Sequence, residues 1–393
     1  MSRLSILSLG STRGLWEGPT AEDVQRMGGY AAELESYVVI ASSYKRHRLR
    51  PLRLAENFRA IPTDAFTALD GFFRMLALGW RVLGERRIDL IQAQDPFFTG
   101  LVAVLLALRF GQPVNVCVYG PNVYDPHWLA NHRWNRLFAI IGRWVLRRAR
   151  GIQVDGRMTA RSLVAAGHAP ESVGVKPVVP SNLDRFLALD RAATAPGGVA
   201  RLLYVGRLAP QKNLPLLLAV VQRLRAAGCT GFRLTLVGDG PEDAALRAQA
   251  ARDGLLSHVE FRGAVSRDDV VGVFAEADVF VLTSDYEGFP RVLMEAAAAA
   301  LPVVSTTVSG ADEAIADGAT GYLAPIGAAD ALAAALRRLI ESPELRQRLG
   351  AAAREHVRAK LDPATNTAGQ LAIWRRLAAP DRGPARRAEK EIA

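Results

Sequence analysis

The sequence is poor in the residues that build cross-linked or metal-held scaffolds. Its 393 residues include two cysteines, Cys117 and Cys229. Two cannot support a disulfide framework, and no C-x-x-C or His/Cys cluster offers zinc ligands. Histidine is also scarce. His127 and His132 are five apart, poor spacing for a shared metal on one helix, and His47, His168, His258 and His356 are scattered. Long apolar runs are missing: the longest, Gly100 to Leu108, is about half a membrane span. The apolar start, Met1 to Leu9, is too short for a secretory h-region with a cleavage site. No G-x-G-x-x-G follows the first predicted strand, which disfavours hydride transfer on a dinucleotide. A reducing, cytosolic location is expected, with peripheral contact at the inner face of the membrane left open.

What is present is an ordinary globular composition, 50% apolar, 22% charged and 7% aromatic, long enough for two domains. The formal charge is +10. Up to Leu187 there are 24 Lys and Arg against 15 Asp and Glu, so the first half carries nearly all the excess. Lys45, Arg46, Arg48, Arg50 and Arg53 form one dense patch, and Arg143, Arg147, Arg148 and Arg150 another. Between them, apolar residues from Phe72 to Leu83, including Trp80, are interleaved with Arg74 and Arg81. Such a surface suits an anionic lipid or an anionic acceptor; it reads equally as a solvated Arg-rich face. Nucleic acid rests on charge alone and is not expected.

Short β-rich apolar runs alternate with Ala/Leu/Arg stretches at helical spacing, the pattern of parallel βα units. The first half has candidate strands at Leu4–Leu9, Tyr37–Ala41, Leu90–Ala93, Val114–Val118 and Gly151–Val154. The second has them at Arg201–Val205, Phe232–Val237, Val259–Phe261, Val279–Thr283 and Pro302–Ser305. Each set suffices for one doubly wound domain. The expected layout is 1–187, then 188–368, then a helix over 369–380 returning to the first domain, and a charged, disordered tail over 381–393. Residues 178–184 read as a connector and 192–198 as a linker.

Three segments carry candidate chemistry. Thr283-Ser284-Asp285-Tyr286-Glu287-Gly288-Phe289-Pro290 leaves a predicted strand and enters an Ala-rich helix that holds Glu295. Ligands bind beyond the carboxyl ends of parallel strands, and helix N-termini there attract phosphate. Glu287 and Glu295 would then meet sugar or ribose hydroxyls, although a turn residue and a surface helix residue fit the same letters. Gly206-Arg207…Lys212-Asn213 places two cations at a strand end beside a helix start, as a diphosphate requires. Gly238-Asp239-Gly240-Pro241 permits close backbone approach, which ordinary turns also use.

Together these elements resemble the retaining GT-B glycosyltransferases of the family 4 type, with two Rossmann-like doubly wound α/β domains facing across a cleft. Glu287…Glu295 is the E-x7-E element, Gly206-Arg207…Lys212 the G-R…K element, and Phe261-Arg262-Gly263 followed by Val265 the F-x-G stretch. Gly310…Glu313…Asp317-Gly318…Gly321-Tyr322-Leu323 matches the end of that domain. The resemblance implies that Arg207 and Lys212 hold the donor diphosphate. Glu287 would contact the transferred sugar with Gly288 and Phe289, and Glu295 the ribose. Gly14, Gly206, Gly238, Gly263 and Val265 would line the donor, with Gly263 and Val265 facing the base. The donor would be UDP-, GDP- or ADP-linked and the acceptor a saccharide or lipid-linked saccharide, with no cofactor and no catalytic metal.

The first half departs from the family. Its first loop, Leu9 to Gly18, has scattered glycines. Tyr119 in Tyr119-Gly120-Pro121-Asn122 stands where the family carries a histidine; it can hydrogen-bond but is no imidazole. That leaves an altered donor, Asn122 or His127 taking over, or a weakened enzyme; Asp95 is a further acceptor-side candidate, which reads equally as a turn cap. Trp128 and Trp134 fit either a sugar platform or the core. A non-catalytic sugar-nucleotide-binding subunit and an epimerase of similar shape are the alternatives.

Overall fold

The computed structural model describes residues 3–19, 21–119, 123–176, 183–189, 198–266, 269–360 and 363–379. The connector residues 178–182, the linker residues 192–197 and the tail 381–393 lie outside these, as does Asn122. The chain divides into two compact units. One comprises Met1–Val154, Leu163–Lys176 and Pro363–Ala393; the other comprises Asp155–Ser162 and Pro177–Asp362.

The first unit holds strands β1 (Ser5–Gly10), β2 (Ser36–Ala41), β3 (Leu52–Arg53), β4 (Phe58–Pro62), β5 (Leu90–Ala93), β6 (Val114–Val118), β7 (Gly151–Val154) and β8 (Val173–Val175). Its helices are α1 (Glu22–Ala32), α2 (Ala68–Glu85), α3 (Phe98–Phe110), α4 (Pro126–Asn131) and α5 (Arg133–Leu146); α6 (Arg157–Ala165) begins among residues of the other unit and ends in this one. The sheet order is β3-β4-β2-β1-β5-β6-β7-β8, parallel except for β3 against β4. The step from β1 to β2 runs one way along this order, and those from β4 through β7 run the other. Right-handed crossovers therefore put α1 on one face and α2, α3 and α5 on the opposite one. The central strands are buried end to end, so they read as unbroken apolar runs rather than alternating ones.

The second unit carries α7 (Leu183–Leu187), β9 (Ala200–Val205), α8 (Leu214–Ala226), β10 (Phe232–Val237), α9 (Asp243–Arg252), β11 (Val259–Gly263), α10 (Val270–Ala275), β12 (Val279–Leu282), α11 (Arg291–Ala298), β13 (Val303–Thr306), α12 (Ala311–Ala314), β14 (Gly321–Ala324), α13 (Ala329–Glu341) and α14 (Pro343–Arg358). Its all-parallel order is β11-β10-β9-β12-β13-β14. The chain leaves β9 in one direction to β10 and later returns to β9's other side as β12. The β9/β12 carboxyl ends are therefore the switch point where such sheets open a binding crevice. Leu183 and Phe186 belong to this core.

The last helix, α15 (Pro363–Ala378), packs on α1 and joins the first unit's core through Leu371, Trp374 and Leu377. Its anchor is polar. Gln92 on β5 pairs in register with Asn115 on β6, and Cys117 with Gln153 on β7. Asn115 Nδ2 donates to Gln92 Oε1 at 2.8 Å, Trp374 Nε1 donates to the same oxygen at 2.6 Å, and Gln370 Nε2 donates to Gln153 Oε1 at 2.9 Å. Buried amides of this kind hold their position because leaving one unpaired costs about 1–3 kcal/mol.

The ten expected strands are all present, four with the expected bounds and six within two residues of them. Four more exist that the sequence reading lacked: β3, β4, β8 and β14. Three of these border a sheet or lie on its margin, and β4 alternates buried and exposed residues around Arg59 and ends on Pro62. Partial exposure breaks the apolar run that marks a central strand.

Replacing Trp374 tests the anchor. Trp374→Phe keeps most of the ring but strips Gln92 Oε1 of one of its two donors, an expected loss of about 0.5–1.5 kcal/mol. Trp374→Ala is expected to lose about 3–5 kcal/mol. All six tryptophans lie in the first unit, so fluorescence-detected denaturant unfolding reads this unit alone. A Phe variant as stable as the parent would remove the polar-anchor account.

Candidate active site

The switch-point loops bring one predicted cation of the second unit, Lys212, onto one predicted acid, Glu287. After β9 the chain turns through Gly206, Arg207 and Leu208, makes a short 3-10 turn at Pro210–Lys212, and enters α8. Asn213 closes that turn in the left-handed region (φ 44°), and its Oδ1 accepts from Leu216 N–H at 3.2 Å, capping α8. Pro215 sits in the first turn, where its missing N–H is harmless. After β12, residues 283–290 lead into α11.

The two loops are tied across 70 or more residues of sequence. Thr283 Oγ1 donates to the carbonyls of Lys212 and Asn213, both at 3.1 Å. Asp285 N–H donates to Gln211 O at 2.9 Å, and Asn213 Nδ2 donates to Asp285 Oδ1 at 2.7 Å. Within this frame the Lys212 ammonium donates to Glu287 Oε1, and Ser284 Oγ donates to the same oxygen at 2.6 Å. Both partners are largely buried, with side chains 15% and 9% exposed. A buried pair survives only when further hydrogen bonds satisfy it, and Ser284 supplies one.

Arg207 is exposed, and its guanidinium makes no hydrogen bond or ion pair with any described residue. Glu295, in the second turn of α11, is half-buried and also makes none. Burial raises its carboxyl above the ordinary value, opposed by Arg291. One unengaged cation on the loop after β9 and one desolvated, unengaged carboxylate on the helix after β12 thus belong to the same two passages that carry the Lys–Glu–Ser cluster. Together they offer charge for a phosphate and acceptors for hydroxyls.

A third turn completes the edge. Gly238 N–H donates to Gly263 O at 2.9 Å, Gly206 N–H to Val237 O at 3.0 Å, and Leu208 N–H to Asp239 O at 2.7 Å. The loops after β9, β10 and β11 are therefore one hydrogen-bonded weave. Gly238 (φ 139°) lies so close that an added Cβ would come within 1.9 Å of Gly206 O, and one at Gly240 (φ 155°) within 2.2 Å of Leu208 O. Only glycine fits both the conformation and the gap. Val265 and Phe289 are half-buried against the core, with the Phe289 ring beside Gly310. Gly288 is half-buried in the same loop.

Residues 188–356 match the family described as glycosyl transferases group 1, and residues 24–179 match the glycosyl transferase 4-like domain. A 2-deoxystreptamine glucosyltransferase of Streptomyces kanamyceticus is 31% identical over 273 residues, 65% of this chain and 69% of that protein. The chain belongs to the GT-B glycosyltransferases of the family 4 type. A glycogen synthase of Mycobacterium tuberculosis is 36% identical over 165 residues; the match spans 42% of this glycosyltransferase but only 40% of that relative. The fold is shared with a sucrose-phosphate synthase from Thermosynechococcus elongatus (TM-score 0.74, 20% identity, 95% of this chain and 99% of that one). It is shared also with Anabaena HepE, solved with UDP (TM-score 0.67, 20% identity, 94% and 98%).

The candidates of the glycosyltransferase's first unit are spread over separate loops. Gly14 sits in a 3-10 turn after β1, against the Asp23 carboxylate. Asp95 Oδ1 accepts from Phe97 N–H at 2.8 Å, and Asp95 Oδ2 accepts from Thr99 Oγ1 at 2.7 Å; the residue fastens the turn into α3. Tyr119 is 43% exposed as a residue, yet its hydroxyl is turned down to the sheet, accepting from Gln153 Nε2 at 2.6 Å beside Cys117. Desolvation at that end pushes the phenol well above its ordinary value. Burial likewise pushes the Cys117 thiol up to about 12. The His127 side chain lies outside the described residues. Trp134, one of the two candidate platforms, is 51% exposed, while Trp128 stacks on Phe97 with centroids 5.5 Å apart.

Sequence reading had not singled out Ser284, Asp285 or Asn213 for a role. The one available signal was Asn-Leu-Pro, a cap followed by proline at a helix start.

Two outcomes follow. Gly238→Ala is expected to cost about 2 kcal/mol or more, because the backbone must move away from Gly206; a thermal unfolding midpoint equal to the parent's would contradict the close approach. Glu295 carries a raised pKa, so its ionised form is a stability cost at neutral pH. That cost disappears as pH falls through the raised value toward the ordinary one. Glu295→Gln should therefore stabilise the ligand-free protein at neutral pH, and the gain should vanish in acid, measured by thermal melts across pH.

Proposed function

We propose that this chain is a retaining glycosyltransferase. It moves a sugar from a nucleoside diphosphate donor to a saccharide or lipid-linked saccharide acceptor, in polysaccharide or glycolipid assembly. The observation that carries this reading is the cluster at the β9/β12 carboxyl ends, Lys212, Glu287 and Ser284 in one hydrogen-bonded set, on the same two loop-helix passages that hold Arg207 and Glu295. That HepE is solved with UDP and with UDP-glucose supports a uridine diphosphate donor.

In this mechanism Arg207 and Lys212 bind the diphosphate. As the bond from the sugar's anomeric carbon to the phosphate oxygen breaks, negative charge grows on the leaving group. Cations already in place stabilise it without reorganisation. The acceptor oxygen bonds to the anomeric carbon on the same face, and its proton passes to the departing phosphate. Glu287, held by Lys212 and Ser284, accepts hydrogen bonds from the sugar hydroxyls. Glu295 does so from the ribose. The chemistry as written draws on these side chains and needs no resident cofactor.

A thermal-shift screen of UDP-, GDP- and ADP-sugars, followed by transfer assays with the donor that binds, tests the proposal. Arg207→Ala touches no described partner and is expected to fold normally while losing about 100-fold or more in kcat/KM. Lys212→Ala should lose as much activity and also stability, since it strands the Glu287 carboxylate. Full turnover by either variant would remove the diphosphate assignment. Donor binding without transfer or hydrolysis would favour the non-catalytic subunit, and interconversion of the free donor sugar would favour an epimerase.

A further inference from the structure

Among the described residues, sixteen large apolar side chains are exposed, and nine of them lie on α2, α3 and α5 of the first unit. Only three belong to the second unit. Scattered exposed apolar residues are normal; concentration on one helical layer is not. On α2 the exposed set is Leu69, Phe73 and Trp80, spaced four and seven apart so that they share a stripe. Leu108 on α3 is 67% exposed, and Ile140 and Trp134 on α5 are 64% and 51% exposed. The helices are neighbours: the Trp80 and Phe110 rings meet at 5.0 Å, and Phe97, at the start of α3, meets Phe138 of α5 at 5.8 Å.

Cations accompany the aromatics. Arg109 lies 5.6 Å from the Trp80 ring, Arg133 lies 5.4 Å from Trp134, and Lys45 lies 3.8 Å from Phe66, just before α2. The three helices together hold six Arg against Asp70 and Glu85, and those two acids pair with Arg74 and Arg81 of α2, so the excess positive charge lies on α3 and α5. Long basic side chains laid along apolar rings, with their heads in water, are the arrangement that suits a boundary between acyl chain and phosphate. No described helix is long and apolar enough to cross a membrane.

We propose that the α2–α3–α5 layer is a membrane-docking face that lies on an anionic lipid surface, with Phe73, Trp80, Leu108, Trp134 and Ile140 at the headgroup boundary and the surrounding Arg side chains on lipid phosphates. The observations favour lipid over the other occupants. A second copy would bring two surfaces of the same sign together. Nucleic acid would use the aromatic rings, but Leu108 and Ile140 have no π-face to stack on a base. This inference stands apart from the donor reading, because docking is measured without nucleotide.

The test is co-sedimentation of the full chain with vesicles of phosphatidylcholine alone, and with vesicles of equal parts phosphatidylcholine and phosphatidylglycerol, at low and high salt. Binding is expected to the anionic vesicles, weakened by salt, with a blue shift of tryptophan fluorescence from Trp80 and Trp134. Leu108→Ser with Ile140→Ser replaces exposed side chains only, and should lower the partition coefficient about tenfold or more. Arg133→Glu with Arg136→Glu should lower it on anionic vesicles and flatten the salt dependence. Absence of binding to either vesicle, or serine variants that bind as the parent does, would overturn the proposal. So would a dimer in sedimentation velocity that the serine substitutions dissolve without any vesicle binding.

Discussion

The second unit is organised around a pair of charges that its own sheet brings together. Lys212 and Glu287 stand on loops 75 residues apart in sequence, and each would be costly to bury alone. Their meeting requires that β9 and β12 be neighbours, that Asn213 adopt a left-handed turn, and that Thr283 and Asp285 lock the two loops edge to edge. Ser284 adds the bond that the shared carboxylate oxygen needs. Remove any of these and the pair loses either its partner or its geometry. The buried core beneath them, reaching from Leu183 to Val357, supplies the rigidity that loops alone do not have.

Most of the charged constellation was legible because it is written in short segments. Gly-Arg…Lys and Glu…Glu each lie within one strand-turn-helix passage, so local spacing is enough to read them. The ties that hold the passages together were not legible. Asn213 to Asp285 spans 72 residues, and nothing in either segment names the other. The glycines of the Gly-Asp-Gly turn were visible as a turn, but not as the place where one backbone meets another at van der Waals contact. That is a property of three loops at once.

The first unit shows the opposite failure. Its helices carry apolar residues at helical spacing, which ordinarily marks a buried stripe. Trp134 and Ile140 are nonetheless exposed: α5 has more apolar perimeter than its neighbours cover. Tyr119 is a milder case. Its letter suggested a group presented to a ligand, whereas its hydroxyl is drawn back toward Gln153 by the amide ladder on the strands. The same ladder was unreadable in advance, since Gln92, Asn115 and Gln153 sit in runs that otherwise look like plain apolar strands. Edge strands such as β8 and β14 escaped for a related reason, because one open side dilutes the apolar signal.

The return of α15 sets an order on biosynthesis. As the chain leaves the ribosome, the first sheet is complete long before the helix that covers one of its faces. The whole second unit must be translated in between. Throughout that interval the side of β5, β6 and β7 destined for Trp374 and Gln370 is open to water, with its amides lacking their final partners. The second unit is free to condense on its own core first, while the amino-terminal unit waits for the helix that closes its sheet.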